Sequence, residues 1–316
     1  MIKKNSKIYI AGHKGMVGSA IKRNLDLCGY KNILYASKKK LNLLDQKKTF
    51  NFLKKNKPDL VILAAAKVGG ILENAKHKQE FLYENLQIQN NIIHGSALAK
   101  VKNLFFLGSS CIYPKKSKQP IKENYLLQGP LEETNEGYSL AKISGIKLCE
   151  YYNKQFGLNY KSFMPPNMYG PNDNYDLNSS HFYAALIRKI YISKVKKKRI
   201  LKIWGTGQAK REIMFVDDFA KALIFFINKK IKEPYLNIGT GKEYSIKWYA
   251  DFLMKKMNVN LKIKYDKSKP DGMKRKCLDS RLAKKYGLNI QSNLSRSFNL
   301  TFIDFKKRFY DNKKKK

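Results

Sequence analysis

Asp59 to Ala65 reads DLVILAA, with no polar residue after the first. A strand with one wet face alternates apolar and polar residues, so an uninterrupted run asks for burial on both faces. Comparable short strand signals recur at Lys7–Ala11 (KIYIA), Asn32–Ala36 (NILYA), Asn103–Leu107 (NLFFL) and Tyr160–Met164 (YKSFM). Between them the apolar spacing turns helical: Met16–Cys28 through Val17, Ala20, Ile21, Leu25 and Cys28, then Gln46–Asn56, Gln79–Lys100 and Tyr138–Phe156. Strand and helix in alternation predict an α/β fold, a doubly wound parallel sheet of the Rossmann type covered on both faces. FVDD (215–218) is expected to start a further helix, Asp217 or Asp218 capping the run 219–227, and Leu236–Ile238 to return as a strand of the sheet. Turn signals then divide the chain into a dinucleotide-binding domain, 1–170 plus 216–239, and a smaller discontinuous substrate domain, 171–215 plus 240–316.

The chain has 316 residues, enough for a large core. Its formal net charge of +40 raises the question of a polyanionic partner. The lysines are dispersed, whereas a nucleic-acid binder clusters them, so nucleic acid is not expected as a partner. The two local basic runs, 194–199 and 313–316, read as loop and tail. Cys28, Cys111, Cys149 and Cys277 lie far apart with no CxxC pair, which predicts reduced thiols and no metal site. The first apolar stretch, Ile8–Ala11, is too short for a signal peptide, and no run approaches a membrane span, so a cytoplasmic protein without membrane contact is expected.

The first strand runs straight into AGHKGMVGSA, with Gly12, Gly15 and Gly18 opening the first helix. Glycines in that context let a turn close and let backbone N–H groups approach a pyrophosphate at the positive helix end. Where an NAD enzyme places a carboxylate after its second strand, this chain has Ser37, Lys38, Lys39 and Lys40, and Lys14 sits in the turn itself. Cations without a carboxylate suit a 2′-phosphate, which predicts NADP/NADPH as cofactor.

The fourth strand, LFFL, ends at Gly108 and is followed by Ser109, Ser110 and Cys111. In a doubly wound sheet the ligand lies outside the carboxyl ends of the strands, so these three residues face the cofactor. Tyr138 and Lys142 lie four apart in EGYSLAKISG, on one helix face. A nearby ammonium is expected to favour the Tyr138 phenolate, while the Ser109 and Tyr138 hydroxyls bond a substrate carbonyl and Lys142 holds ribose hydroxyls.

With these motifs together, the chain resembles the extended short-chain dehydrogenase/reductases that modify nucleotide sugars. GSSCIYP (108–114), QGPLEETNEGYSLAK (128–142), PPNMYGPND (165–173), SSH (179–181) and KPDGMKRK (269–276) are similar, nearly end to end, to the GDP-L-fucose synthase group within it. The resemblance implies C3/C5 epimerisation of GDP-4-keto-6-deoxy-mannose and NADPH-dependent reduction at C4. Protons α to a ketone leave through an enolate, which requires a base and an acid. The resemblance assigns Cys111 as base and His181 as acid, with Tyr138 giving the proton at C4 and Ser109 sharing the enolate oxygen. It further implies cofactor contacts from Gly12, Lys14, Gly15, Met16, Val17, Gly18, Lys38, Leu107, Gly108, Ser109, Ser110, Lys142, Pro165, Asn167, Met168 and His181. Lys189, Trp204, Arg211 and Asp271 would hold the GDP-sugar, and His13, His77 and His94 receive no role.

Departures accompany the resemblance. Pro166 lacks an N–H where the family carries a small hydroxyl residue, and Lys14 and Lys38 replace arginines, losing the bidentate grip on phosphate. A related 4-epimerase, dehydratase or reductase is the alternative. A dehydratase would pair Asp and Glu beside the strand-end hydroxyl, where this chain has Ser110 and Cys111. The long helices 79–100 and 138–156 carry Ile88, Ile92, Ile146 and Leu148 beyond one stripe, and with the family resemblance this predicts a homodimer.

Overall fold

The apolar run at 59–65 becomes the strand Leu60–Leu63, with alternate side chains entering different cores. Leu60 and Ile62 join one cluster with Ile8, Ile10, Phe105 and Phe163, whereas Val61 and Leu63 join another with Tyr9, Leu104, Phe106 and Tyr160. Each such side chain contributes about 1.5–3 kcal/mol on full burial, which is why polar interruptions are missing. The computed structural model describes residues 1–269 and 271–313, with side chains of the final helix described through 309.

In chain order the first half runs β1 (Ile8–Ala11), α1 (Met16–Leu27), β2 (Ile33–Leu34), α2 (Gln46–Asn56), β3 (Leu60–Leu63), α3 (Ile71–Lys76), α4 (Lys78–Leu98), β4 (Asn103–Leu107), α5 (Glu136–Phe156) and β5 (Asn159–Met164). The second half continues β6 (Asn167–Tyr169), α6 (Phe182–Val195), β7 (Ile200–Trp204), β8 (Lys210–Phe215), α7 (Val216–Phe226), β9 (Tyr235–Asn237), β10 (Glu243–Ser245), α8 (Ile246–Met257), β11 (Lys262–Asp266), β12 (Arg275–Lys276), α9 (Arg281–Lys285) and α10 (Leu294–Lys313). The main sheet is parallel throughout in the order β2-β1-β3-β4-β5-β9, the doubly wound arrangement expected. A smaller sheet, β10-β8-β12 with β6 also on β8, and the pair β11-β7 lie beside a third core built on Tyr183, Ile187, Leu201, Leu253 and Phe298.

Five sequence expectations need correction or sharpening. The second strand keeps only two of its five expected residues, because Tyr35 is exposed and Ser37–Leu41 forms a turn. Neither Asp217 nor Asp218 caps α7; Phe215 stands at the cap and both aspartates fall in the first turn. There Asp217 takes two hydrogen-bonding nitrogens of Arg23 and the amide of Asn24, tying α7 to α1. Leu278, Ala283 and Leu288 enter the cores of the main sheet, which separates them from the rest of 240–316. Ile92 and Ile146 are buried in the core between α4, α5 and the sheet, and Ile88 and Leu148 pack against it while staying partly exposed. The basic run at 194–199 straddles the end of α6, and Lys314–Lys316 of the expected tail lie outside the described residues.

The YGPND loop after β6 buries Asp173, whose carboxylate accepts from the Asn174 N–H at 2.7 Å. Burial pushes this carboxyl up to about 7 from its ordinary 3.8, against the pull of that bond and of Arg308. Because the folded state holds the proton more tightly, the contribution to stability is fully present below pH about 4 and lost once the pH passes about 7. Urea titrations of the wild type and Asp173→Asn should show the stability difference moving against the wild type by about 2–4 kcal/mol between pH 4 and 8. A pH-independent difference would contradict the shift.

Candidate active site

The glycine turn is shaped as a backbone cradle. Gly12 has φ +91°, and a Cβ there would lie 2.7 Å from the Ala65 nitrogen. A Cβ on Gly18 would lie 2.1 Å from the Gly12 carbonyl oxygen, so the helix start packs directly on the turn. Gly15 caps α1 without a side-chain hydrogen bond, leaving the first N–H groups directed at the turn. Met16 and Val17 begin that helix, and Lys14 and Lys38 are exposed near the two strand ends. The His13 ring lies 4.6 Å from that of Tyr35, tilted by 31°, and its imidazole is held below its ordinary value by burial, Lys14 and Lys22. Lys14 and Lys22 lie close enough to His13 to act on it, Lys38 follows the neighbouring strand, and the residues fit a dinucleotide bearing an additional phosphate.

At the next strand ends, Gly108 is pressed so closely on Met164 that a Cβ would come within 2.2 Å of its sulfur. The chain then turns into one 3₁₀ turn, Ser110–Ile112, capped by Ser109, whose Oγ accepts from the Cys111 N–H at 3.2 Å. Ser110 is buried and its N–H donates to the Pro165 carbonyl at 3.1 Å, joining this turn to the PPNM segment of Asn167 and Met168. Ser109, Cys111, Tyr138 and Lys142 are therefore held by backbone geometry and not by long flexible connections.

Lys142 is 3% exposed and donates to the Leu107 carbonyl at 2.8 Å, with its ammonium 5.7 Å from the Tyr138 ring centre. Burial brings this lysine down to about 7. Burial, then the neighbouring Cys111, push the Tyr138 phenol upward, against the opposing effect of Ser109. The expectation that Lys142 would favour a phenolate is thus overridden by desolvation, and Tyr138 stays a proton donor. Cys111 Sγ lies 3.1 Å from the Lys276 ammonium and 3.7 Å from Asn135 Nδ2.

His181 stands at the N-cap of α6. Burial, then Lys276, lowers its imidazole below the ordinary value. The loop carrying it rests on the segment after β3: the Gly70 N–H donates to the Ser179 carbonyl at 2.8 Å, and a Cβ on Gly70 would lie 2.6 Å from the Ser180 oxygen. Asn74 in turn donates to the Gly69 and Gly70 carbonyls. These positioning residues escape a reading of separate motifs, although a Gly-Gly pair just beyond a buried strand is a usable signal. Asn135 and Lys276 also escape it.

In the smaller part, the Lys189 ammonium lies 5.1 Å over the Trp204 ring, and burial followed by Lys202 lowers it. Arg211 donates to the Asp271 and Met273 carbonyls, and Asp271 accepts from both N–H and Oγ of Thr206 at 2.8 Å. These two shape the turn after Trp204 and the segment leading to Lys276. Among the described residues no cluster of His, Cys, Asp and Glu could hold a metal, and no helix is long and apolar enough to cross a membrane.

Residues 8–239 match the NAD dependent epimerase/dehydratase family, the span from the first strand to just beyond β9. The chain belongs to that family. Within it, the chain is 45% identical over 308 residues to a GDP-L-fucose synthase of Sinorhizobium fredii, covering 97% of both chains. It is 44% identical to the Escherichia coli GDP-L-fucose synthase, covering 86% of this chain and 88% of that protein. Among solved structures, a GDP-mannoheptose C4 reductase from Campylobacter jejuni with NADP bound is 33% identical, with a TM-score of 0.87 over 97% of this chain and 100% of that one. The sequence and the fold are thus similar to those of enzymes named for GDP-sugars.

Proposed function

We propose that this chain converts GDP-4-keto-6-deoxy-D-mannose to GDP-L-fucose by inversion at C3 and C5 and NADPH-dependent reduction of the C4 ketone. The observation that carries the reading is the Cys111 thiol beside Ser109 at the end of β4, 3.1 Å from the Lys276 ammonium. A thiol so placed is suited to carbon acid chemistry, which a simple ketone reductase does not need. Relatives named GDP-L-fucose synthase support the same product.

Cys111 takes the proton from C3 or C5, and the electron pair moves through the enolate to the C4 oxygen. Ser109 and Tyr138 hold that oxygen as its charge develops. His181 takes a proton from solvent and returns it to carbon; burial and Lys276 hold its imidazole below the ordinary value, so its imidazolium is a stronger acid but the minor form at neutral pH. NADPH, when bound, supplies the hydride for C4. Tyr138 donates the proton to the C4 oxygen, and Lys142 orients the ribose. Gly12, Gly15 and Gly18 would hold the pyrophosphate, Lys14 and Lys38 the 2′-phosphate, and Met16, Val17, Leu107, Gly108, Ser110, Pro165, Asn167 and Met168 the remaining cofactor contacts. Lys189, Trp204, Arg211 and Asp271 would receive the GDP-sugar.

The same reading places the enzyme in the cytoplasm as a homodimer, with Tyr83, Leu140 and Tyr151, exposed on α4 and α5, as its contact face. It divides the chain into a cofactor part, 1–170 plus 216–239, and a substrate part, 171–215 plus 240–316, from which 278–290 is returned to the main sheet on its packing.

The test is purified protein with GDP-4-keto-6-deoxy-D-mannose and NADPH, followed by absorbance and product NMR. Oxidation of NADPH with GDP-L-fucose formed is the expected result. A reduced product retaining the D-manno configuration at C3 and C5, or no turnover, overturns it in favour of another ketone reductase or epimerase of the family.

A further inference from the structure

Lys276 is 8% exposed, and among the described residues no carboxylate lies within ion-pair distance of its ammonium. A buried cation without a counter-charge is unfavourable, and such groups are normally paired. The group it meets is Cys111 Sγ at 3.1 Å. Its backbone is fixed from two sides. The strand β12 pairs with β8 in the register Lys276 to Arg211, while the Cys277 N–H donates to Gln119 Oε1 at 2.9 Å and its carbonyl accepts from Ile121 at 2.8 Å. Gln119 and Ile121 belong to the segment that leaves Cys111, so thiol and ammonium are anchored to one another through the main chain.

Asn135 supplies a second donor. Its Nδ2 lies 3.7 Å from the sulfur, and the Ser139 hydroxyl lies 3.0 Å from its Oδ1, from the Asn135 carbonyl and from the Cys111 carbonyl, tying Asn135 to the turn that carries the thiol. A thiolate accepts both donors, whereas a neutral thiol is a weak acceptor.

We propose that Lys276 is a positioning residue that holds Cys111 as a thiolate, with Asn135 as its second hydrogen-bond donor. The inference rests on the reading of Cys111 as the epimerisation base. The other ionisable groups facing the sulfur are Tyr138 of α5 and Arg211 of β8, both of which feel its charge, and His181 of α6 feels Lys276. Arg211 is committed to loop carbonyls and Tyr138 is kept protonated by burial, which leaves Lys276 as the mobile-headed cation in contact.

Iodoacetamide alkylation of the full chain, mapped by peptide mass spectrometry across pH 5.5–9, reads the thiolate at each cysteine separately, and exposed Cys28 serves as an internal reference. In the unaltered chain Cys111 should reach half its maximal alkylation rate at a lower pH than Cys28. In Lys276→Met the Cys111 profile should move up by about one to three pH units, with alkylation at pH 6.5 slowed about tenfold or more. Lys276→Arg should restore most of the rate, Asn135→Ala should give a smaller shift, and Cys28 should not change. A Cys111 profile unaltered by Lys276→Met overturns the proposal, as does the reverse order of Cys111 and Cys28 in the unaltered chain, which needs no variant to fold. A raised KM for the GDP-sugar with an unaltered alkylation profile would make Lys276 a substrate ligand instead. If Lys276→Met shifts the alkylation profile but Cys111→Ser still inverts C3 and C5, the ion pair stands and the assignment of the base falls.

Discussion

Cys111→Ser is expected to lose inversion at C3 and C5 by about 10²–10⁴-fold, the usual contribution of a positioned general base. The substitution is small and leaves the local scaffold in place, because the hydrogen bond at residue 111 runs from its backbone N–H to Ser109 Oγ. What changes is the acidity of the side chain. A thiol ionises within reach of neutral pH when a cation stands beside it, whereas a serine hydroxyl 3.1 Å from the same ammonium would stay protonated. Exchange of the C3 and C5 hydrogens with deuterated water, followed by NMR without NADPH, isolates this step from the reduction. Loss of exchange with unaltered cofactor affinity is the expected outcome. Exchange at the wild-type rate would reduce Cys111 to a packing residue and move the base elsewhere.

The same thiol shows how far a chain can be read before its coordinates are known. The helix at 46–56 and the strand at 103–107 follow the expected bounds, because each is set by strong local determinants. Asp45 caps the helix through Lys48, and the strand is enclosed by two cores. The strand-end hydroxyl and the Tyr–Lys helix face were legible for the same local reason. Lys276 was not. It meets Cys111 across 165 positions of sequence, in a chain with 64 lysines and arginines where no single cation stands out. Asp217 was misread in a related way: its hydrogen-bonding capacity goes to Arg23 and Asn24, nearly two hundred residues away, instead of to its own helix end. Burial also reversed a chemical expectation, since the nearby Lys142 does not make Tyr138 a phenolate when desolvation acts on both groups.

That reversal defines the second large effect. Tyr138→Phe removes the phenolic proton donor while keeping the ring against Lys142, whose ammonium lies 5.7 Å from its centre. Reduction at C4 should fall by about 10²–10⁴-fold, because the alkoxide formed at C4 then lacks a positioned acid. Hydrogen exchange at C3 and C5 should fall less, about tenfold, since Ser109 retains its hydroxyl and still bonds the enolate oxygen. Burial holds the phenol protonated through neutral pH, so wild-type reduction should show no loss from tyrosine ionisation between pH 6 and 8. Single-turnover absorbance of NADPH and proton exchange by NMR separate the two steps. Equal losses in both would make Tyr138 chiefly an enolate ligand, and an unaffected reduction would show that the C4 oxygen takes its proton from another group or from water.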